Sequence, residues 1–163
     1  MHKPLARCLS IAAAAMLGLL IAGCSQTPTV AESKILPPAL QQARIWVYRG
    51  IEAPGAVLTP IVRFNGSPVG EAAGGSAFYR DVEPGTYHVD VQSTYADLGQ
   101  SSIIALGPGQ VAYVRIEDLD NWANGLGRME TTFYAREVSL DTGRSQVPAL
   151  KFAGGSDFTG TPK

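Results

Sequence analysis

The chain has 163 residues, with 13 Lys and Arg against 14 Asp and Glu, for a formal charge of −1. Beyond Arg7 its arginines, from Arg44 to Arg144, are scattered singly, so no basic run offers the electrostatic footprint that phosphate backbones need, and nucleic acid is not expected as a partner. The two cysteines, Cys8 and Cys24, both stand near the N-terminus, which excludes a disulfide framework for the rest of the chain.

The first element is an export signal over residues 1–23. Lys3 and Arg7 precede a stretch, residues 8–23, that carries no charged side chain, the order of a secretory n-region and h-region. Its 16 residues fall short of the roughly 20 needed for a stable membrane span. The stretch closes on Ile21-Ala22-Gly23-Cys24, which resembles the lipobox of bacterial lipoproteins. The resemblance implies that the Cys24 thiol accepts a diacylglycerol, that cleavage follows Gly23, and that the new N-terminus is acylated. Each buried methylene contributes about 0.8 kcal/mol, so two or more chains anchor stably where one would be marginal. Ser25, in place of Asp, implies by the same resemblance the periplasmic face of the outer membrane. No other cofactor is expected.

Removal of 23 residues leaves 140, with 11 basic and 14 acidic side chains. That is enough for one domain with a core and too short for two. Residues 24–42 are Ser/Thr/Gln/Ala-rich with Pro28, Pro37 and Pro38, and read as a flexible tether. As a coil its reach is roughly 20–25 Å. A short helix over 30–36 is compatible with this composition.

From residue 43 the apolar period changes to two. Residues 44–49 (RIWVYR) are β-branched or aromatic on both faces, as in a central strand. A strand at 60–64 ends in Asn65-Gly66, a pair that accepts positive φ at both turn corners, so Val69 is expected to fold back beside it. A strand at 77–82 runs into Glu83-Pro84-Gly85-Thr86, read as a hairpin. On the return, Tyr87, Val89 and Val91 share a core face, while His88, Asp90 and Gln92 share a face in water. The same device, Gly107-Pro108-Gly109-Gln110, joins strands at 102–106 and 111–117. A polar loop is expected over 117–125, a last strand over 130–138, a short helix or loop over 140–152, and a disordered tail over 153–163. About seven strands in the domain, residues 43–152, imply a small antiparallel all-β sandwich, prealbumin-like or immunoglobulin-like.

Few residues suggest chemistry. His88, the histidine that survives processing, shares a strand face with Asp90, but a solvated face accounts for both, and no nucleophile is identifiable. Zinc wants three or four His, Cys or carboxylate ligands, which are missing. The 117–125 loop gathers oxygen donors, yet counting from Asp118 the sixth residue is Ala123 and the twelfth Met129, which breaks the calcium-hand pattern. Trp122, with Asn121 and Asn124, is read as either a lid on the core or a stacking platform for a sugar or protein. There is no Gly-x-Ser-x-Gly elbow. Gly107, Gly109 and Ala112 fit a loose dinucleotide fingerprint, but the chain beyond them reads as a strand, not a helix.

The run 44–49, Phe64-Asn65-Gly66 with Val69-Gly70, Val82-Glu83-Pro84-Gly85-Thr86-Tyr87, and Gly107 through Tyr113 together resemble the bacterial domain-of-unknown-function family two-eight-four-six over roughly residues 43–138. The Pro-Gly turns are also similar to those of small prealbumin-like modules of cell envelopes. Membership implies a small envelope lipoprotein and supplies no catalytic residue. The expectation is a non-enzymatic, membrane-anchored interaction or structural module. Its partners would be the membrane, through the lipid, and an envelope protein or glycan. A peptidoglycan-binding module is the alternative, and an envelope enzyme the weaker one.

Overall fold

The computed structural model describes residues 26–51, 58–93, 98–122 and 129–158. The export signal, Gly23, Cys24 and Asn124 lie outside the described residues. Nine strands are described: β1 (Ala43–Arg49), β2 (Ile61–Phe64), β3 (Ser67–Glu71), β4 (Ser76–Val82), β5 (Gly85–Val91), β6 (Ser102–Leu106), β7 (Val111–Trp122), β8 (Met129–Val138) and β9 (Lys151–Asp157). One helix, α1 (Leu140–Gln146), and a 3-10 turn at Val147–Ala149 precede β9. The strands form a sandwich of a five-stranded sheet, β8-β7-β1-β4-β9, on a four-stranded sheet, β3-β2-β5-β6. The four-stranded sheet is antiparallel throughout. In the larger sheet, β1 lies parallel to β7 and β4 parallel to β9.

Strand β1 sits in the middle of the larger sheet, and all seven of its residues are buried. Ala43, Ile45 and Val47 face the smaller sheet, where they meet Val62, Phe64, Tyr87, Val89 and Ile104. Trp46 and Tyr48 point to the opposite face, into a second apolar layer with Ala77, Tyr113 and Val147. Burial of each such side chain contributes on the order of 1.5–3 kcal/mol. A strand apolar on both faces is therefore a strand covered on both.

The expected Asn65-Gly66 turn is present: φ is 51° at Asn65 and 84° at Gly66, and β2 and β3 pair across it. The two Pro-Gly turns, read above as hairpins, are not hairpins. β4 pairs with β1 and β9 while β5 pairs with β2 and β6, so Glu83-Pro84 is an arch from one sheet to the other. Gly107-Pro108-Gly109-Gln110 is a second arch, from β6 to β7. The strands flanking each arch bury their apolar faces in the one core between the sheets, and the arches carry the chain across that core from one sheet to the other. The first is tied by buried Tyr87, whose hydroxyl donates to the Glu83 carbonyl at 2.7 Å, a bond of the tyrosine-corner kind. The second docks on β1: Gly109 N donates to Gln42 O at 2.8 Å and Arg44 N to Gln110 O at 2.9 Å, which sets β7 parallel to β1.

The outer face of the larger sheet is covered by segments expected to be loose. Ser139 caps α1, its hydroxyl accepting from Thr142 N at 3.2 Å. The helix then runs back across Tyr113. The expected tail is a strand through Asp157, because β9 finds β4 as a backbone partner. The expected tether is docked from Pro28 onward: Phe152 N donates to Pro28 O at 2.8 Å, Val30 N to Leu150 O at 2.9 Å and Ala31 N to Pro148 O at 3.1 Å. Residues 30–33 form a turn rather than a helix. Thr29 and Glu32 close it reciprocally, Thr29 N donating to Glu32 Oε2 at 2.8 Å and Glu32 N to Thr29 Oγ1 at 3.3 Å. Arg44 holds the segment further on. Its Nη1 donates to Leu36 O at 2.6 Å, its Nε and Nη2 grip the Asp81 carboxylate at 2.6 and 2.8 Å, and its guanidinium lies 3.8 Å over the Tyr79 ring.

The sandwich has two unlike ends. At one lie the Asn65-Gly66 turn, both arches and the start of α1. At the other lie the C-terminal end of β1, the β5–β6 connection, the β7–β8 hairpin and the entry to β9.

Candidate functional site

A groove of about 570 Å³ opens on the outer face of the larger sheet where α1 stops covering it. Its floor is Tyr48, Arg115 and Glu117, side chains brought to one face by the parallel register Tyr48↔Arg115. One wall is Gln146, Ala149 and Leu150, set by the 3-10 turn that ends α1; the other is Ile51 and Leu119. Ile51 is 72% exposed and Leu119 55%, so apolar surface is left uncovered at the rim.

The groove is close to neutral. Arg115 donates to Glu117 from Nε at 2.8 Å and also from Nη2. The pair is partly exposed and worth little to stability, though it cancels two charges. Tyr48 is buried, and its hydroxyl donates to Gln146 Oε1 at 2.6 Å. Burial pushes its phenol above the ordinary tyrosine value, Arg115 opposing and Glu117 adding to the rise. A neutral, half-apolar groove with an amide and an ion pair at its base suits an uncharged or amphipathic segment, and offers no anion a binding site.

Below the floor, inside the sandwich, Arg49 faces Asp118 at 3.4 Å with both side chains fully or nearly buried. Arg49 Nη1 also donates to Leu58 O at 2.6 Å, and its guanidinium lies 5.0 Å from the Phe133 ring centre. This is an internal polar lock at the end of β1.

The polar loop expected over 117–125 is strand as far as Trp122. Along a strand successive side chains alternate, so Glu117 turns to the outer face and Asp118 inward to Arg49. Carboxylates that looked clustered in sequence therefore diverge, and among the described residues no group of three His, Cys, Asp or Glu side chains converges on a metal-sized site. Asn121 and Trp122 pair with Glu130 and Met129, next to the β7–β8 connection. The strand reading of the chain beyond Gly109 holds, so the dinucleotide fingerprint stays excluded.

His88 and Asp90 share the exposed face of β5, as expected, with His88 Nδ1 3.9 Å from Asp90 Oδ2. The structure adds a neighbour that sequence reasoning missed: Ser101 Oγ lies 2.8 Å from His88 Nε2. Only the pairing of β5 with β6, which sets Val89 opposite Ser102, brings residues 13 apart together. The three side chains follow Ser-His-Asp order, but the histidine and aspartate are at ion-pair rather than hydrogen-bond distance. Arg63 stands 3.7 Å from Asp90, and neighbouring Ile103 is 72% exposed. The cluster lies on an open sheet face, not in a cleft.

A family model described as "Protein of unknown function (DUF2846)" matches residues 39–127. The chain belongs to this family. The match spans β1 to the end of β7, so it includes the groove floor, while β8, α1 and β9, which add the Gln146–Leu150 wall, lie beyond it. No curated protein and no solved structure matches the chain.

Proposed function

We propose that this family member is a lipid-anchored, non-enzymatic module of the bacterial envelope, held through Cys24 on the periplasmic face of the outer membrane. From there it offers the groove beside α1 to an envelope protein. The observation that carries the reading is the Ile21-Ala22-Gly23-Cys24 sequence, followed within four peptide steps by a segment docked on the domain. The neutral groove supports a protein segment over an ionic ligand. A second reading, glycan binding, draws support from the β7–β8 hairpin, which sets Asn121 and Trp122 near its outer end. The groove itself gives a sugar no stacking face, since Tyr48 is 1% exposed.

Fractionation of cells expressing the Cys24→Ser chain tests the anchor. The variant is expected in the soluble periplasmic fraction, and continued partition into detergent with the membranes would refute the reading. Photo-crosslinking from position 149, on the groove wall, separates the partners. A discrete protein adduct supports the first reading, and retention on purified peptidoglycan without such an adduct supports the second.

A further inference from the structure

The docked N-terminal segment sets the direction from which the chain meets the sandwich. Pro28 O accepts from Phe152 N and Leu150 O from Val30 N, with Thr29 opposite Lys151, so residues 28–30 run antiparallel to β9. β9 is parallel to β4, and β4 ends at the Glu83-Pro84 arch. Followed backwards from Pro28, the chain therefore heads for the arch end. Four peptide steps separate Pro28 from Cys24, a covalent reach of at most about 14 Å. Phe152 is level with Ala77, and Asp81 stands four residues further along β4, about 13 Å away. A lipid on Cys24 thus reaches the level at which Arg44 grips Asp81 and Leu36, one residue short of the end of β4.

That level carries an aliphatic rim. Leu36 and Leu40 are 77% and 90% exposed on either side of Pro37-Pro38, and Leu140, at the start of α1, is 44% exposed. The backbone between the first two is tied at three points. Arg44 Nη1 donates to Leu36 O at 2.6 Å, Gln42 N to Ala39 O at 2.8 Å, and Gly109 N of the second arch to Gln42 O at 2.8 Å. Both prolines have fixed φ. The leucines are therefore held outward by the backbone, although their burial would be favourable. The exposed charges described at this end, Glu83, Glu137, Asp141 and Asp157 against Lys34 and Arg144, are mainly acidic. Apolar exposure alone does not choose an end, since Ile51 and Leu119 are uncovered at the other. The heading of the chain does.

We propose that the arch end is a membrane-contact surface: Leu36, Leu40 and Leu140 rest in the interfacial layer of the bilayer that holds the Cys24 lipid. This rests on the anchoring proposed above. Three aliphatic side chains would not hold a free domain on a bilayer. The lipid makes their contact intramolecular, at a local concentration that a weak apolar interaction can saturate. Because acidic side chains stand around the rim, anionic lipid opposes the contact and zwitterionic lipid suffices for it. The groove beside α1 then opens at the far end of the sandwich, to a partner standing off the membrane.

The test uses the lipidated full chain, purified from membranes and reconstituted into phosphatidylcholine vesicles with or without the dibrominated lipid. Flotation of the vesicles reports the anchor separately. Trp122→Phe leaves Trp46 as the remaining native tryptophan, which is 6% exposed and gives a constant background. In that chain Leu140→Trp reports on the arch end and Ile51→Trp on the other. The expected result is loss of most of the added emission to bromolipid for Leu140→Trp and little loss for Ile51→Trp. Added phosphatidylglycerol reduces the quenching, and salt restores it. Leu36→Asp with Leu40→Asp abolishes it while the protein still floats. Flotation without quenching of the Leu140→Trp reporter, equal quenching at both ends, quenching that requires phosphatidylglycerol, or quenching that survives both aspartates overturns the membrane contact and leaves the anchor standing. A chain that does not float overturns both.

Discussion

Gly143 sets two physical effects of opposite sign against each other. It lies inside α1, where replacing glycine by alanine ordinarily stabilises by about 1 kcal/mol through backbone entropy. Yet a Cβ at this position would sit 2.1 Å from Cγ and 2.5 Å from both Cδ atoms of Tyr113. These atoms are the root of a ring that is 9% exposed and wedged between helix and sheet, so the ring cannot swing aside. Normal contact requires the helix to lift by more than about 1 Å, and overpacking of that kind costs about 1–3 kcal/mol. Packing therefore wins, and Gly143→Ala is expected to destabilise by about 1–2 kcal/mol, lowering Tm by roughly 3–8 °C. Thermal unfolding by circular dichroism measures it on the Ser25–Lys163 chain. The control is the same change in a Tyr113→Ala background, where the clash is gone and the substitution should raise Tm. A rise in Tm on the wild-type background, or equal effects in both, would refute the argument.

Three further outcomes follow from the geometry. Asp118→Ala leaves the Arg49 guanidinium buried without its carboxylate and should cost about 3–5 kcal/mol in urea unfolding, whereas the paired change Arg49→Met with Asp118→Leu should recover most of it; equal loss in both would show the lock is not electrostatic. Burial raises the Tyr48 and Tyr87 phenols above the unfolded value, so the native state holds protons that the unfolded chain releases, and stability should fall as pH rises above about 10. Tyr48→Phe should flatten that decline, and an unchanged slope would refute the assignment. Ser101, beside His88 without a cleft, should not react with a fluorophosphonate probe, and labelling that disappears in His88→Ala would make it a nucleophile.

What the sequence made legible were features carried by side-chain pattern. The two-faced burial of β1, the alternation of Tyr87, Val89 and Val91 against His88 and Asp90, and the positive φ at Asn65-Gly66 are all encoded locally. What it hid were features carried by the backbone. Residues 28–31 dock through main-chain bonds to Pro148, Leu150 and Phe152, which leave no mark in composition, so a Pro- and Ser-containing stretch resembled a tether. β9, with Gly154 and Gly155, resembled a tail for the same reason: glycine next to Tyr79 is required there, since a Cβ at Gly155 would meet that ring at 2.1 Å. The Pro-Gly turns misled differently. Proline followed by glycine specifies a reversal of the chain, and whether the reversal stays in one sheet depends on which distant strands its two flanks pair with. Ser101 beside His88 depends on strand pairing and had no local signal at all.

Docking of the N-terminal segment changes what a lipid at Cys24 could do. A coil over residues 25–42 would hold the domain near the membrane while leaving it free to tumble over roughly 20–25 Å. With the chain docked from Pro28, four peptide steps separate it from Cys24, and a lipid there would couple position to orientation. A partner that meets the groove would then find it already facing a defined way, and would lose less rotational freedom on binding than one meeting a tumbling domain. The turn that holds this segment carries its own pH dependence. The Thr29 amide and hydroxyl hold the Glu32 carboxyl below its ordinary value, so docking is favoured above the normal carboxylate range and weakens as pH falls through the lowered value. Hydrogen exchange at Val30 and Ala31, whose amides bond to Leu150 and Pro148, should accelerate relative to β1 in mild acid, and Glu32→Gln should show the faster exchange already at neutral pH. If both amides stay as protected as β1 in the variant, the capping interaction does not hold the segment, and its docking rests on the main-chain bonds to Pro148, Leu150 and Phe152 and on Arg44 at Leu36.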